Sequence, residues 1–214
     1  MSEFRATAVE TLIRVSKELA ARGWLRATSG NLSIRDTATG RVYITRSGAD
    51  KQRLQPDDVL TLSDASEILE GLGRPSFETA IHRAIYRSVG AGAVFHVHTV
   101  YNNLVSRHAQ DGGIEFHDHE MLKALGHWDE GARITLPVVP NYADIDRLAE
   151  AVAKVVRPAV PAVLLARHGI YAFGETAEAA LRHLEAFEFL FEWLALDRLG
   201  AAAALAVLPE AQPS

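Results

Sequence analysis

The chain has 214 residues, of which 48% are hydrophobic and 23% charged, proportions that are ordinary for one globular domain with a sizeable core. Its 22 basic and 27 acidic side chains are interspersed and give a net charge of −5, so no basic surface for a nucleic acid is expected. The absence of cysteine excludes disulfides, thiolate metal ligands and a cysteine nucleophile. Residues 1–23 alternate charged and apolar side chains, which predicts neither a signal peptide nor a membrane span, and a cytoplasmic protein is the simplest expectation.

Predicted helices and strands are interleaved along the chain. Residues 5–22 carry apolar side chains at mainly helical spacing, and β-rich runs follow at 41–45 and 58–62. The later predicted elements are a helix after Pro75 and Ser76, a buried strand at 93–99, helices at 100–107 and about 119–126, a strand at 133–139, a helix from Asp144, a buried strand at 162–169 that ends on His168 and Gly169, and a long helix from 176 to about 199. This pattern favours a layered mixed-sheet α/β or α+β domain over residues 1–200, followed by a C-terminal tail at 201–214.

Two histidines stand two positions apart in "VFHVHT", residues 94–99. Side chains at i and i+2 of a strand project from the same face, so His96 and His98 are expected side by side. A catalytic zinc takes three protein ligands and keeps one position open, and His168 is the best third candidate because it closes a predicted strand beside Gly169. The pair alone is equally compatible with hydrogen-bonded core histidines, and three imidazoles also suit iron, cobalt or manganese.

Other interpretations of the histidines are weaker. The cupin pattern also begins with H-x-H, but it needs a glutamate a few positions later, and "TVYNNL" contains none. A second H-x-H occurs in "HDHE", residues 117–120, within a polar stretch that favours solvated surface histidines. Glu120 in that stretch is a candidate base, since a carboxylate near a divalent cation can move protons on an acidified carbon.

Two polar glycine turns, "TSGN" at 28–31 and "SG" at 47–48, present hydroxyl groups and backbone N–H groups. That local chemistry suits a phosphate, and Arg46 and Lys51 could add positive charge. Taken singly, each segment is also an ordinary turn. Their occurrence together with three candidate metal ligands favours a binding function.

The segments "ATSGNLS", "ITRSGADK", "PSFETAIHRAIY", "VFHVHT" and "ARHGIYAFGET", in this order, resemble the class II aldolase and adducin-head family across nearly the whole chain. The resemblance implies a three-layer α/β/α domain around a mixed, mostly antiparallel sheet, and a homotetramer with its sites at subunit interfaces. It implies one zinc ion per subunit on His96, His98 and His168. It also implies that the phosphate-binding loops contain Ser29, Gly30, Asn31, Ser47, Gly48 and Ser76.

Several reactions on small phosphorylated ketoses occur within this family, and the position of the acid/base separates them. In the aldolases it is a glutamate after the "PS" motif, where this chain has Glu78. In the methylthioribulose-1-phosphate dehydratases it is a glutamate in a segment that "HEMLKALG" resembles, with Glu120 at its head. The resemblance therefore favours a zinc-dependent dehydratase of methionine salvage with Glu120 as acid/base and Glu78 as a substrate contact.

Alternatives of other classes remain at this point. A sugar-phosphate aldolase or a ribulose-phosphate 4-epimerase would use Glu78, whereas an adducin-like head would be a non-catalytic binding module. A structural zinc site would need a fourth protein ligand, and no cysteine is present to supply it.

Overall fold

The computed structural model describes residues 3–204. The strands are β1 (Asn31–Arg35), β2 (Val42–Thr45), β3 (Val59–Leu62), β4 (Ile68–Glu70), β5 (Ala93–Val97), β6 (Gly113–His117), β7 (Arg133–Val139), β8 (Ala162–Leu165) and β9 (Gly169–Gly174). The α-helices are α1 (Glu3–Ala21), α2 (Thr79–Val89), α3 (Val100–Val105), α4 (Ile145–Val155) and α5 (Ala177–Ala204). Short 3₁₀ helices cover Arg26–Thr28, Lys51–Arg53, Pro56–Asp58, Ser106–His108 and Glu120–Leu125.

All nine of these strands belong to one sheet, in the order β4-β3-β2-β1-β5-β9-β8-β7-β6. Neighbouring strands are antiparallel except β7 and β8, which run parallel because α4 forms the crossover between them. Asp144 starts that helix, as predicted, and its carboxylate accepts hydrogen bonds from the backbone N–H groups of Asp146 and Arg147, both at 3.0 Å. The predicted mixed, mostly antiparallel sheet is confirmed.

Helices cover both faces of the sheet and form two hydrophobic cores. Consecutive side chains of β5 project to opposite faces of the sheet: Phe95 belongs to the core under α1 and α5, whereas Val94 belongs to the core under α2 and α4. On the second face Ile81 and Ile85 of α2 meet Leu148 of α4. The predicted three-layer α/β/α arrangement is thereby confirmed, and β5 lies at its centre.

One predicted strand is in fact a hairpin. The apolar run predicted as a single strand at 162–169 stops at Leu165, and the chain turns through Arg167, which has a φ of 55°. Gly169 then opens β9, antiparallel to β8. A Cβ at Gly169 would lie 2.4 Å from the carbonyl oxygen of Val97, so only glycine permits this close approach of β9 to β5. His168 therefore lies in a tight turn rather than at the end of a strand.

Other elements differ from their predictions for local reasons. The segment after His119 is a 3₁₀ helix of six residues, which Gly126 ends at a φ of 91°. On α2 the buried face contains His82 and Tyr86 beside the two isoleucines, while Ala80 and Ala84 are only half-buried. Strands β1, β4, β6 and β9 were not predicted; β1 was hidden because its inward positions include the polar residues Asn31 and Ser33.

The C-terminal tail was predicted to begin at residue 201, yet residues 201–204 continue α5. The rest of that predicted tail, residues 205–214, lies outside the described residues. None of the helices within residues 3–204 combines the length and apolar character that a membrane span requires.

Candidate active site

Three histidines converge where β5 and the β8–β9 turn meet. His96 is the fourth residue of β5, His98 follows that strand directly, and His168 comes from the turn. Their ligand nitrogens lie within 4.8 Å of one another, and Nε2 of His96 is 2.7 Å from Nε2 of His98. Tyr171 of β9 stacks on the His96 ring at 3.9 Å between centroids. The structure thus brings together the three residues that were predicted as metal ligands.

The outer nitrogens of two rings are hydrogen-bonded to groups outside the cluster, which directs their inner nitrogens toward its centre. Nδ1 of His96 donates to the carbonyl oxygen of Ile170 at 2.9 Å, and Nδ1 of His168 lies 3.2 Å from Oδ1 of Asn141. A proton on Nδ1 places the lone pair of each ring on Nε2, toward the centre of the cluster. Burial lowers the pKa of His96 well below its ordinary value and that of His98 to about 4. Neutral imidazoles with inward lone pairs are what a metal ion requires.

Glu78, the residue immediately before α2, adds a carboxylate to the cluster. Its Oε1 is 2.9 Å from Nε2 of His168, and its Oε2 is 3.5 Å from Nε2 of His96. Burial acts to raise the pKa of this carboxyl, but His96, His168 and Asn31 together hold it below its ordinary value. Three imidazoles and an ionised carboxylate form a donor set that fits a divalent cation.

The predicted phosphate loops lie against one another beside this cluster. The backbone N–H of Ser47 donates to the carbonyl oxygen of Arg74 at 2.9 Å, which joins the 47–48 turn to the segment before Ser76. The hydroxyl of Ser76 in turn accepts a hydrogen bond from the backbone N–H of Glu78 at 3.3 Å. Gly48 has a φ of 71° at an exposed position with open space around it. These two turns and the histidine cluster are thus physically connected through Glu78.

The 28–31 turn is tied to the same region by Lys51. This lysine is buried and donates from Nζ to the carbonyl oxygen of Thr28 at 2.8 Å. Burial lowers its pKa. The buried hydroxyl oxygen of Ser29 has no hydrogen-bond partner among the described residues, and Gly30 packs against the His96 backbone at a φ of 75°. The side chain of Asn31, however, is directed at Glu78, to whose Oε2 it donates at 2.5 Å.

Glu120 is not brought to the histidines within one chain. Its side chain is 81% exposed, and its Oε1 forms an ion pair with Nζ of Lys123 at 2.9 Å. It lines a groove that also contains His119 and Trp128, and none of the three clustered histidines lines that groove. The aromatic ring of His119 packs on Phe189 and Trp193 of α5, both of which remain partly exposed.

A cavity of about 620 Å³ opens beside His98, large enough for a small sugar phosphate. Apolar side chains and arginines share its wall, which is formed by Arg22, Gly23, Trp24, Arg26, His98, Thr99, Val100, Tyr101, Asn103, Leu104, Arg107 and Arg167. The site therefore has a ready approach for a small anionic ligand.

Three residues near the cluster were not predicted from the sequence. Tyr171 stacks on His96 and belongs to the "ARHGIYAFGET" segment, in which only His168 was singled out as a site residue, whereas Asn141, which contacts His168, lies outside the quoted motifs. The third, His82, could have been found from its spacing: it lies four residues after Glu78, the residue that caps the start of α2, and so faces the same side.

The family model for the class II aldolase and adducin N-terminal domain matches residues 10–195. The chain belongs to this family. Members of the class II aldolase family typically use a divalent metal, which agrees with the donor set on His96, His98 and His168.

Curated relatives and solved structures extend this assignment. The chain is 45% identical to the methylthioribulose-1-phosphate dehydratase of Geobacillus kaustophilus (strain HTA426) over 196 residues, which cover 88% of this chain and 93% of the relative. It is 43% identical to that of Persephonella marina over 195 residues, covering 90% and 91%. Among solved structures, the L-fuculose-1-phosphate aldolase of Thermus thermophilus aligns with a TM-score of 0.74 at 29% identity, over 92% of this chain and 98% of that one. YgbL from Escherichia coli aligns with a TM-score of 0.79 at 24% identity over 91% of both chains, and supports the fold alone.

Proposed function

We propose that this protein catalyses the zinc-dependent dehydration of 5-methylthioribulose 1-phosphate to 2,3-diketo-5-methylthiopentyl 1-phosphate in the methionine salvage of the cytoplasm. The observation that carries the proposal is the convergence of three inward imidazoles and the Glu78 carboxylate beside polar turns, in a chain 45% identical to a dehydratase of this name. The reaction removes the C3 proton and the C4 hydroxyl group of the ketose as water.

One zinc ion per subunit, held by His96, His98 and His168, is part of the proposal. Such an ion polarises a ketose carbonyl and lowers the pKa of the neighbouring carbon acid. Hydroxyl and backbone N–H groups of the polar turns would hold the phosphate and so align the sugar. The residues proposed for this contact are Ser29, Gly30, Asn31, Ser47, Gly48 and Ser76. Glu78, at the edge of the cluster, would contact the substrate.

Glu120 is proposed as the acid/base. Its carboxylate takes the C3 proton, and the electron pair of the C3–H bond forms a C2–C3 double bond, so that the C2 carbonyl oxygen becomes an enolate oxygen. The protonated Glu120 then gives the proton to the C4 hydroxyl group; the C2 carbonyl re-forms, the C2–C3 electron pair becomes a C3–C4 double bond, the C4–O bond breaks, and water leaves. In the resulting enol the proton of the C3 hydroxyl group is exchanged for one on C4, which gives the 2,3-diketone. One carboxylate thus serves both proton transfers of the elimination.

The exposure of Glu120 implies that it acts across a subunit boundary. Since it has no described contact with the histidines of its own chain, we propose that it reaches the metal site of a neighbour in a homotetramer. Phe189 and Trp193 are 46% and 44% exposed beside the 3₁₀ helix that begins at Glu120, and such large exposed aromatic side chains are typical of a protein contact surface.

A second candidate function is that of a sugar-phosphate aldolase or ribulose-phosphate 4-epimerase with Glu78 as base. The position of Glu78, 2.9 Å from His168, favours it, as does the likeness to the Thermus thermophilus aldolase. It predicts cleavage of a carbon–carbon bond or epimerisation, and no diketone. A non-catalytic adducin-like module would turn over none of these substrates and would need no stoichiometric metal.

The deciding experiment incubates the zinc-loaded protein with methylthioribulose 1-phosphate and follows the diketone by ultraviolet absorbance and the loss of one water by mass spectrometry. We expect turnover that falls by roughly 10²-fold or more in Glu120→Gln, because the proton acceptor is removed. Glu78→Gln is measured beside it, and because Glu78 is proposed to contact the substrate without transferring a proton, it should retain more turnover than Glu120→Gln. No water loss, together with Glu78-dependent cleavage of fuculose or rhamnulose 1-phosphate, would assign the second candidate instead.

A further inference from the structure

A buried line of polar side chains runs from the core to Glu78. On one side of the line stand Glu78, which caps the start of α2, and His82 and Tyr86 of that helix, at intervals of four residues. On the other side stand Asn31 and Ser33 on one face of β1, two residues apart. His82, Tyr86, Asn31 and Ser33 are all buried. The four-residue spacing along the helix and the two-residue spacing along the strand place these side chains opposite one another.

Each contact in this line is a hydrogen bond. The Tyr86 hydroxyl lies 2.6 Å from Oγ of Ser33, and Oγ of Ser33 lies 2.7 Å from Nδ1 of His82. Nε2 of His82 contacts Oδ1 of Asn31, whose Nδ2 donates to Oε2 of Glu78 at 2.5 Å. The other oxygen of Glu78 faces His168 at 2.9 Å.

The direction of every hydrogen bond follows from the chemistry of its ends. A carboxylate only accepts, so Asn31 must turn its NH₂ group to Glu78 and its oxygen to His82. His82 then carries its proton on Nε2 and accepts on Nδ1 from Ser33, which in turn accepts from the Tyr86 hydroxyl. Burial lowers the pKa of His82 to about 4 and raises that of Tyr86, so both stay neutral and the pattern does not change near neutral pH.

We infer that His82 is a positioning residue, which acts through the side-chain amide of Asn31 to fix one oxygen of Glu78 and to turn the other toward the histidine cluster. The Asn31 amide alone can flip, and a flipped amide would present oxygen to oxygen. His82 prevents the flip because its Nε2–H can donate only to the oxygen of the amide. The inference rests on the proposed function in that it concerns the same site, and it assigns Asn31 to Glu78 in addition to any phosphate contact by its backbone.

The test compares two polar replacements of the same ring. In His82→Gln the side-chain NH₂ group reaches the place of Nε2 and keeps the donor to Asn31, whereas in His82→Asn the shorter amide reaches only Ser33. We expect His82→Asn to lower kcat by roughly 10- to 100-fold with a smaller change in KM, and His82→Gln to retain most of the activity. Asn31→Ser, too short to reach both partners, tests the same link independently.

Tyr86→Phe is the matched control, because it removes one buried hydroxyl from the far end of the line and leaves the His82–Asn31 contact intact. It should lower the melting temperature without lowering kcat. A second readout does not depend on turnover: the visible spectrum of the cobalt(II)-substituted protein should change in His82→Asn and Asn31→Ser, in the same sense as in Glu78→Gln, and stay unchanged in Tyr86→Phe.

The inference would be overturned if a folded His82→Asn protein kept the wild-type kcat and cobalt spectrum. It would also be overturned if kcat fell equally in His82→Asn, His82→Gln and Tyr86→Phe, since His82 would then contribute only packing. Should the wild-type protein dehydrate no methylthioribulose 1-phosphate, the proposed function fails, while the cobalt spectra still decide the role of His82.

Discussion

At the scale of single residues, the donor set on the three histidines makes a direct prediction about metal content. His98→Ala removes a half-buried ligand at the mouth of the cavity, where the loss of a side chain should be tolerated by the fold. We expect zinc bound per chain, measured by atomic emission after dialysis, to fall from about one to near zero, and turnover to fall by about 10³-fold or more.

His117→Ala is the matched control for this substitution. His117 belongs to the other H-x-H pair, is 53% exposed, and its ring lies within hydrogen-bonding distance of Asp118, away from the histidine cluster. Zinc content and turnover should both stay at the wild-type level. Equal zinc in the wild-type protein and His98→Ala would contradict the proposed ligand set.

At the scale of secondary-structure elements, the β8–β9 hairpin determines where His168 stands. A Cβ at Gly169 would lie 2.4 Å from the Val97 carbonyl oxygen and 2.8 Å from ring atoms of both His96 and His98. Gly169→Ala should therefore push β9 away from β5, lower the free energy of unfolding by about 1 to 3 kcal/mol and weaken zinc binding at the same time. Chemical denaturation and zinc titration measure the two effects.

Gly90→Ala separates the two effects of Gly169→Ala. Gly90 ends α2 at a φ of 68° with nothing within 4 Å of the added Cβ, so alanine costs about 1 kcal/mol of backbone strain but touches no part of the site. Zinc affinity should not change. Weakened zinc binding in Gly90→Ala would mean that general destabilisation, rather than the hairpin, controls the metal site.

The same hairpin shows what could and could not be predicted from the sequence. Periodicity predicted α1, α2, α4 and β7 because each buries one regular apolar face, and β5 was predicted from a short apolar run that is buried on both faces. "AVLLARHGIYAFG", residues 162–174, is instead apolar except at Arg167 and His168, and the chain turns at Arg167 with a positive φ, a conformation that an arginine in the sequence does not predict. His168 was predicted as a ligand although its element was wrong.

The polar network was beyond sequence reasoning for a different reason. Asn31 and His82 are 51 positions apart, and their contact exists only because β1 and α2 pack together. Glu78 was predicted to occupy the aldolase position, and the structure places it against His168. In the proposed homotetramer the position of Glu120 relative to the cluster would depend on a second subunit, which periodicity within one chain cannot reveal.

At the scale of the whole molecule, the exposure of Glu120 predicts complementation between two inactive proteins. His98→Ala lacks a metal ligand but keeps Glu120, and Glu120→Gln keeps its metal site. If each site in a homotetramer takes Glu120 from a neighbour, unfolding and refolding the two variants together in equal amounts should create sites with both intact parts. Random assembly in a ring restores roughly a quarter of the wild-type turnover. Each variant refolded alone is the control and should stay inactive. A tag on one variant verifies that mixed oligomers form. If these mixed oligomers remain inactive, then either Glu120 and the histidines of one site belong to the same chain or Glu120 takes no part in catalysis.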